Sequence, residues 1–160
     1  MYYPRTYKFP KDDISIGFTS QPFIINAHVA PIPYATRYVD YKGSCLVSGY
    51  GRTSKSANSE VLLLAHLVMV QSAMCSRMHR RNMNNLICTS DYTTDVGKGD
   101  SGGPLVCTNT GESTEGPKGI LVGIVSGNRQ PVGSFFTRVT SYTSFLKKNN
   151  GVRRKPYKSM

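Results

Sequence analysis

Apolar residues in this chain fall into short runs of the length that is typical of β-strands. The longest run covers residues 61–70 and is interrupted only by His66. A second run covers residues 119–126 and follows a polar loop that contains Gly, Ser, Thr and Pro. Runs of this length, bounded by turn-forming residues, predict buried strands.

Two weaker patterns lie near the ends of the chain. Residues 14–18 alternate apolar with small side chains, which predicts a strand directly after Asp12 and Asp13. Near the other end, Thr140 or Ser141 is a suitable N-cap for a helix. The apolar face of that helix would comprise Tyr142, Phe145 and Leu146.

Length and composition indicate one globular domain, or one and a fraction. The chain has 160 residues, of which 39% are hydrophobic and 18% charged. No apolar run approaches the 18 or more residues that a membrane span requires, so we expect no membrane partner. The first residues also lack the apolar core and small-residue cleavage site of a signal peptide.

Four cysteines without CxxC spacing and three scattered histidines indicate disulfides rather than a zinc site. We therefore expect no metal ion and no cofactor. Disulfides are typical of secreted proteins, yet no leader precedes them. This combination predicts that the chain lacks its front part.

The net charge of +11 is concentrated in two clusters. One consists of Arg77, Arg80 and Arg81, and the other lies within residues 147–158. Two solvated basic segments are the simplest interpretation, and a polyanion site is the alternative. Because no nucleic-acid-binding motif accompanies the charge, we do not expect a nucleic acid partner.

Residues 99–105, Gly-Asp-Ser-Gly-Gly-Pro-Leu, are the most informative stretch of the chain. Three glycines and a proline around one Asp-Ser pair predict a tight turn that exposes its backbone. Such a turn can present the hydroxyl of Ser101 beside bare N–H groups, the pairing that nucleophilic attack on a carbonyl needs. The alternative is a glycine-rich hairpin turn before a strand that starts at Leu105.

Together with Val106 and Cys107, this stretch resembles the nucleophile segment of the chymotrypsin/trypsin family of serine endopeptidases. The resemblance implies an all-β, chymotrypsin-like double β-barrel that ends in a short C-terminal helix. The second barrel would be complete and the first largely absent. Residues 1–42 would be a remnant of the first barrel with the inter-barrel connector, residues 43–149 the second barrel with its helix, and residues 150–160 a basic tail.

The resemblance also assigns catalytic roles. Ser101 would be the nucleophile, and the backbone N–H groups of Gly99 and Ser101 would form the oxyanion hole. Asp13 precedes Ser101 by 88 residues and stands where the family has the acid that orients the catalytic imidazole. A surface acid is the alternative for Asp13. In the family, the residue corresponding to Asp100 forms an ion pair with the amino terminus released by zymogen cleavage.

The resemblance places the substrate pocket at four residues. Asp95 stands where trypsin-like members keep the acid that binds an Arg or Lys side chain, and a solvated loop acid is the alternative. Asn128 and Ser134 replace glycines of the family, which would narrow the pocket. Gly97 replaces a cysteine, so the bridge that braces the pocket would be absent. Ser126 would pair its backbone with an extended substrate.

The family pattern pairs Cys45 with Cys107 and Cys75 with Cys88, whereas spacing alone leaves all three connectivities open.

The family's catalytic histidine is missing from its expected position. It lies upstream of the catalytic acid, and none of the twelve residues before Asp13 is a histidine. His28, His66 and His79 all follow Asp13, and we interpret them as a connector, a strand and a loop residue. Loss of such a histidine costs on the order of 10⁶ in turnover in a subtilisin series. This chain alone should therefore not be an efficient protease.

Three hypotheses follow. In the first, the chain is the C-terminal portion of a secreted trypsin-like endopeptidase, with protein or peptide substrates and protease inhibitors as partners. In the second, it is a homologue that has lost catalysis and acts by binding or regulation. In the third, it is a polyanion-binding module that uses its basic tail. The intact Asp-Ser turn favours the first.

Overall fold

The computed structural model describes residues 1–42, 44–53, 57–90, 95–129 and 131–150. Except for its first residue, the predicted basic tail therefore lies outside the described part of the chain. Within the described part, six antiparallel strands close into a barrel in the order β1-β2-β3-β6-β5-β4. The strands are β1 Ser44–Gly49, β2 Leu63–Val70, β3 Leu86–Thr89, β4 Pro104–Cys107, β5 Ile120–Arg129 and β6 Gly133–Arg138.

Two short helices accompany the barrel. Helix α1 spans Ser72–His79, and helix α2 spans Thr143–Asn149 directly after a 3₁₀ turn at Val139–Tyr142. The closed barrel and the short C-terminal helix confirm the predicted fold class. None of the helices in the described ranges has the length and hydropathy needed to cross a bilayer.

The barrel is held together by apolar side chains that point inward from every second strand position. Its buried core includes Val47, Leu67, Leu105, Val122 and Phe136. Burial of each such side chain contributes about 1.5–3 kcal/mol. The strands predicted over residues 61–70 and 119–126 form as β2 and β5. The predicted burial is confirmed for β5 but is wrong for most of β2, where Leu67 is buried and Leu64 and Val68 are exposed, because only one face of this strand points into the barrel.

Two disulfides fasten the barrel. Cys45 on β1 is bonded to Cys107 on β4, its direct neighbour in the sheet register. Cys75 on α1 is bonded to Cys88 on β3. The first bond closes the barrel between adjacent strands, and the second ties helix α1 to the barrel wall.

The strand predicted over residues 14–18 does not form. Only Ile16 pairs, with Tyr2, in an isolated bridge with N···O distances of 2.8 and 2.9 Å. The N–H of Ile14 instead bonds the carbonyl of Asp12 in a local turn. A strand needs a continuous neighbour, and residue 2 supplies only one position of it.

The interpretation of His79 as a loop residue is wrong, because helix α1 continues through His79. The carboxylate of Asp40, far along the chain, accepts hydrogen bonds from the N–H and hydroxyl of Ser72 at 2.9 and 2.5 Å. An acid at this end satisfies a free donor and complements the helix dipole. The helix stops at Arg80, which adopts a left-handed conformation at φ 52°.

The predicted cap of the C-terminal helix is also wrong. Helix α2 begins after Tyr142, which makes no side-chain cap. Thr140 and Ser141 lie inside the preceding 3₁₀ turn, and their hydroxyls have no hydrogen-bond partner among the described residues. The extra turn moves the start of the helix because Val139 and Thr140 remain buried against the barrel.

A buried carboxylate fastens the connector to the barrel. Glu112 accepts hydrogen bonds from the backbone of Thr36 and Arg37, at 3.2 and 2.9 Å, and from the hydroxyl of Tyr41. Burial by itself would raise the pKa of Glu112, but the hydrogen bonds from Tyr41, Arg37 and Thr36 hold it below its usual value. Residues 36–41 are therefore fixed by a charged group in the loop between β4 and β5.

Candidate active site

One cavity of about 670 Å³ is lined by both Asp13 and Ser101. Ser126 and Gly102 also line it, so the cavity lies between the N-terminal segment, the glycine turn and strand β5. The aromatic side chains that line it are Tyr3, Tyr7 and Phe9. The acid and the hydroxyl therefore border the same cavity, and its wall is partly aromatic.

Asp13 is held in place from three directions. Its backbone carbonyl accepts a hydrogen bond from the hydroxyl of Thr137 at 2.7 Å. The neighbouring carboxylate of Asp12 is buried and accepts from the hydroxyl of Tyr142 at 3.0 Å. The Asp13 carboxylate itself accepts from the hydroxyl of Ser126 at 2.7 Å. Strands β5 and β6 thus fix an acid that lies more than a hundred residues away in sequence.

The turn that carries Ser101 depends on glycine backbone conformations. Gly99 and Gly102 have φ of +106° and +84°, values that residues with a Cβ rarely adopt. The N–H of Gly102 bonds the carbonyl of Val125 on β5 at 2.9 Å, which ties the turn to the cavity wall. Ser101 is left exposed at the tip of the turn.

The N–H groups of Gly99 and Ser101 are the predicted oxyanion hole. Neither donates a hydrogen bond to another residue in the described part of the chain. An oxyanion hole requires N–H groups that are free to donate hydrogen bonds to the substrate oxygen.

Asp100 points away from the cavity and is held by backbone amides. Its carboxylate accepts hydrogen bonds from the N–H of Gly51 at 2.7 Å and of Gly97 at 2.8 Å. A Cβ on Gly49 would lie 1.9 Å from this carboxylate, and one on Gly51 would lie 2.4 Å from it. The last residue of β1, Gly49, and the nearby Gly51 therefore leave the space that Asp100 fills, and Asp100 ties the turn to the segment that follows β1.

Three of the residues predicted to form the substrate pocket make hydrogen bonds to the backbone of Val96. The hydroxyl of Ser134 accepts from the N–H of Val96 at 3.1 Å, and the side-chain amide of Asn128 donates to its carbonyl at 2.7 Å. Asp95 also accepts from the N–H of Val96, at 2.9 Å. Ser134 is fully buried, and Asp95 does not line the cavity that Asp13 and Ser101 share. The two residues that replace glycines of the family therefore both bond the backbone of Val96.

The three histidines lie outside the cavity. His28 is exposed in a turn, where its N–H bonds the side chain of Asn26 at 2.8 Å. His66 is exposed on β2, in the strand position that the sequence suggested. His79 is the buried last residue of α1 and is not the loop residue that we expected. The described residues thus supply the acid and the hydroxyl, but not an imidazole between them.

Sequence reasoning missed two parts of this arrangement. The contact between Ser126 and Asp13 uses the serine side chain, whereas the sequence suggested only a backbone role. The rings of Tyr3, Tyr7 and Phe9 were not selected, although their density in the first nine residues was a visible signal.

Comparisons with known proteins agree on one family. The family model described as Trypsin matches residues 1–146. Tissue-type plasminogen activators from Bos taurus and Homo sapiens are 34% identical over 122 residues, which is 66% of this chain and 20% and 21% of the relatives. Trypsin I-P1 from Gallus gallus is 30% identical over 145 residues, covering 85% of this chain and 54% of the relative.

Kallikrein-11 from Homo sapiens is 28% identical over 153 residues, or 88% of this chain and 51% of the relative. The chain therefore spans about half the length of the trypsin and the kallikrein, and about a fifth of the plasminogen activators.

Proposed function

Because this chain belongs to the trypsin family, whose members are serine endopeptidases, we propose that it is the nucleophile-bearing part of such an enzyme. In this proposal residues 1–42 end the first barrel and form the connector, and residues 43–149 are the second barrel with its helix. The observation that carries the proposal is the cavity lined by Asp13, Ser126 and Ser101.

In the proposed reaction, the Ser101 oxygen attacks the carbonyl carbon of a peptide bond. A base takes the hydroxyl proton, and the negative charge on the carbonyl oxygen is stabilised by the N–H groups of Gly99 and Ser101. Collapse of this intermediate breaks the C–N bond as the protonated base gives its proton to the leaving nitrogen. An acyl group remains on Ser101, and water, activated by the same base, then removes it. Asp13, oriented by Ser126, would hold an imidazole base in the correct tautomer.

The substrates would be proteins or peptides, with protease inhibitors as further partners, and the site of action would be extracellular. The two disulfides support an oxidising compartment. No step of the proposed reaction uses a metal or a cofactor.

Labelling with a fluorophosphonate probe tests the function. We expect the folded chain to be modified at Ser101, slowly without added base, and Ser101→Ala to lose the modification. Ser15→Ala is the matched control, because Ser15 is an exposed serine that lines the same cavity. Peptide mapping by mass spectrometry identifies the labelled serine. Equal labelling of Ser101 and Ser15, with and without added imidazole, would contradict a nucleophile at residue 101.

A non-catalytic binding or regulatory role is the second candidate. The observation in its favour is that no histidine lines the cavity. The free N–H groups around Ser101 favour catalysis instead, since a binding protein has no need for an oxyanion hole. The labelling experiment separates the two candidates.

The cleavage preference follows from the bonds to Val96. In this proposal a long cationic side chain passes Asn128 and Ser134 to reach Asp95, and both side chains are held by bonds to the backbone of Val96, the residue after Asp95. We therefore propose that the preference for Arg or Lys is weak and that smaller side chains are accepted.

Replacing both bridging residues should open the slot. We expect the double variant Asn128→Gly, Ser134→Gly to bind an aromatic amidinium at least about tenfold more tightly than the parent, because a hydrogen bond to a charged group is worth about 1.5–3 kcal/mol. Asp95→Asn in the double variant should reverse the gain, and Ser113→Gly on an exposed loop is the neutral control. Isothermal titration calorimetry measures the affinities. Unchanged affinity in the double variant would show that these side chains do not limit access.

A further inference from the structure

Three metal-ligating side chains meet between helix α1 and strand β3, namely those of Cys75, His79 and Cys88. The two sulfur atoms and the imidazole nitrogen all lie within 4.8 Å of one another, and all three residues are buried. Cys75 and His79 are four residues apart on α1, so they share one helix face, and Cys88 meets them from β3. The spacing on the helix is compatible with two ligands of a single ion.

One nitrogen of the His79 imidazole is unpaired within the described ranges. Its Nε2 is buried and has no hydrogen-bond partner among the described residues, and His79 is 4% exposed. The ring lies edge-on to Phe135, with centroids 5.7 Å apart. Buried polar atoms are normally paired, so an unpaired nitrogen here calls for an explanation.

The neutral imidazole is the form of histidine that binds metal ions. The guanidinium groups of Arg129 and Arg81 lie near enough to His79 to interact with it electrostatically. Two thiolates would balance the charge of a divalent cation, so that the occupied site would add no net charge beside these arginines.

We propose that reduction of the Cys75–Cys88 bond creates a binding site for a thiophilic divalent cation such as Zn²⁺, held by Cys75, Cys88 and His79. A dithiol reductant transfers two electrons and two protons to the disulfide and becomes a disulfide itself. The cation then displaces the two thiol protons and accepts the imidazole nitrogen as its third protein ligand. A water molecule completes the tetrahedron.

None of the three proposed ligands lines the cavity at Ser101. Helix α1 stays tied to β3 in both states, by a covalent bond in one and by the cation in the other. The segment would thus carry a metal under reducing conditions and a disulfide under oxidising conditions.

Cobalt provides a spectroscopic test on the full chain. The protein is reduced with a dithiol, freed of reductant under argon and titrated with Co²⁺, with Zn²⁺ added afterwards as a competitor. We expect one equivalent of Co²⁺ to produce the visible absorption bands of a tetrahedral thiolate site and Zn²⁺ to remove them. The oxidised protein should show no such bands.

Two variants assign the ligands. His79→Leu should weaken Co²⁺ binding at least about tenfold, since even the loss of residues that merely support a metal ligand costs about 10- to 100-fold. The double variant Cys75→Ser, Cys88→Ser should abolish the bands. It retains Cys45 and Cys107, so it controls for Co²⁺ binding by the other thiols. Equal affinity for Co²⁺ in the parent and in His79→Leu, or bands that persist in the double serine variant, would overturn the proposal.

Circular dichroism is recorded during each titration to show whether the protein is folded. A variant that folds poorly is thereby distinguished from a folded variant that has lost a ligand. Reduced parent protein that unfolds and is not restored by Zn²⁺ would also overturn the proposal. Recovery of the native spectrum on adding Zn²⁺ to the parent, but not to a second variant, His79→Gln, would support it.

Discussion

Imidazole added to the folded chain is expected to accelerate acylation of Ser101 by up to about a hundredfold, the lower end of what a positioned general base contributes. Asp13 and Ser101 line one cavity of about 670 Å³, and none of the three histidines of the chain lines it. A free imidazole can enter this space, accept the serine proton and donate its other N–H to Asp13. The rate is measured with an activated ester or with the fluorophosphonate probe.

The acceleration should depend on Asp13. Asp13→Asn keeps the size of the side chain but removes the charge that stabilises an imidazolium, so most of the imidazole effect should disappear. Pyrazole, which has a similar shape and is far less basic, serves as the matched small molecule. If imidazole accelerates Asp13→Asn as strongly as the parent, the base acts from solvent, and the proposed pairing of Asp13 with Ser101 is incorrect.

The barrel itself was implied by the family resemblance, whereas the apolar pattern alone predicted two of its strands. Residues 61–70 and 119–126 are apolar enough to identify β2 and β5 in isolation. Elements whose partners are distant could not be predicted in this way. Helix α1 relies on Asp40 at its start, and residues 14–18 have only Tyr2 as a neighbour.

In the candidate site, too, the features with a local sequence signal could be predicted and those that depend on distant partners could not. The glycine turn was visible in the sequence because left-handed backbone conformations at Gly99 and Gly102 demand a residue type. The contact of Ser126 with Asp13 crosses 113 residues and leaves no local signature. The same holds for the bonds that Asn128 and Ser134 make to Val96, which the sequence indicated only as a narrower pocket.

Substitution of Asp100 should be among the most damaging changes to the reactivity of Ser101. The carboxylate joins the N–H groups of Gly51 and Gly97, and Asp100 lies between the two residues of the proposed oxyanion hole. In Asp100→Asn, one of the two amides must face an NH₂ group instead of an acceptor oxygen. We expect imidazole-assisted acylation of Ser101 to fall by about 10² to 10³, the cost of losing one oxyanion donor. Lys98→Gln, in the same loop with an exposed side chain, is the control.

Gly49, which lies against the Asp100 carboxylate, gives an independent test of this arrangement. A Cβ at Gly49 would lie 1.9 Å from the Asp100 carboxylate, so Gly49→Ala must displace that side chain, whereas a Cβ at Gly17 has open space around it. We therefore expect Gly49→Ala to lower the acylation rate of Ser101 to about the level of Asp100→Asn, and Gly17→Ala to leave it unchanged. Thermal unfolding of each variant distinguishes a misplaced turn from a destabilised barrel. Full reactivity in Gly49→Ala would mean that Asp100 does not hold the turn, since the substituted methyl group and the carboxylate cannot occupy the same space.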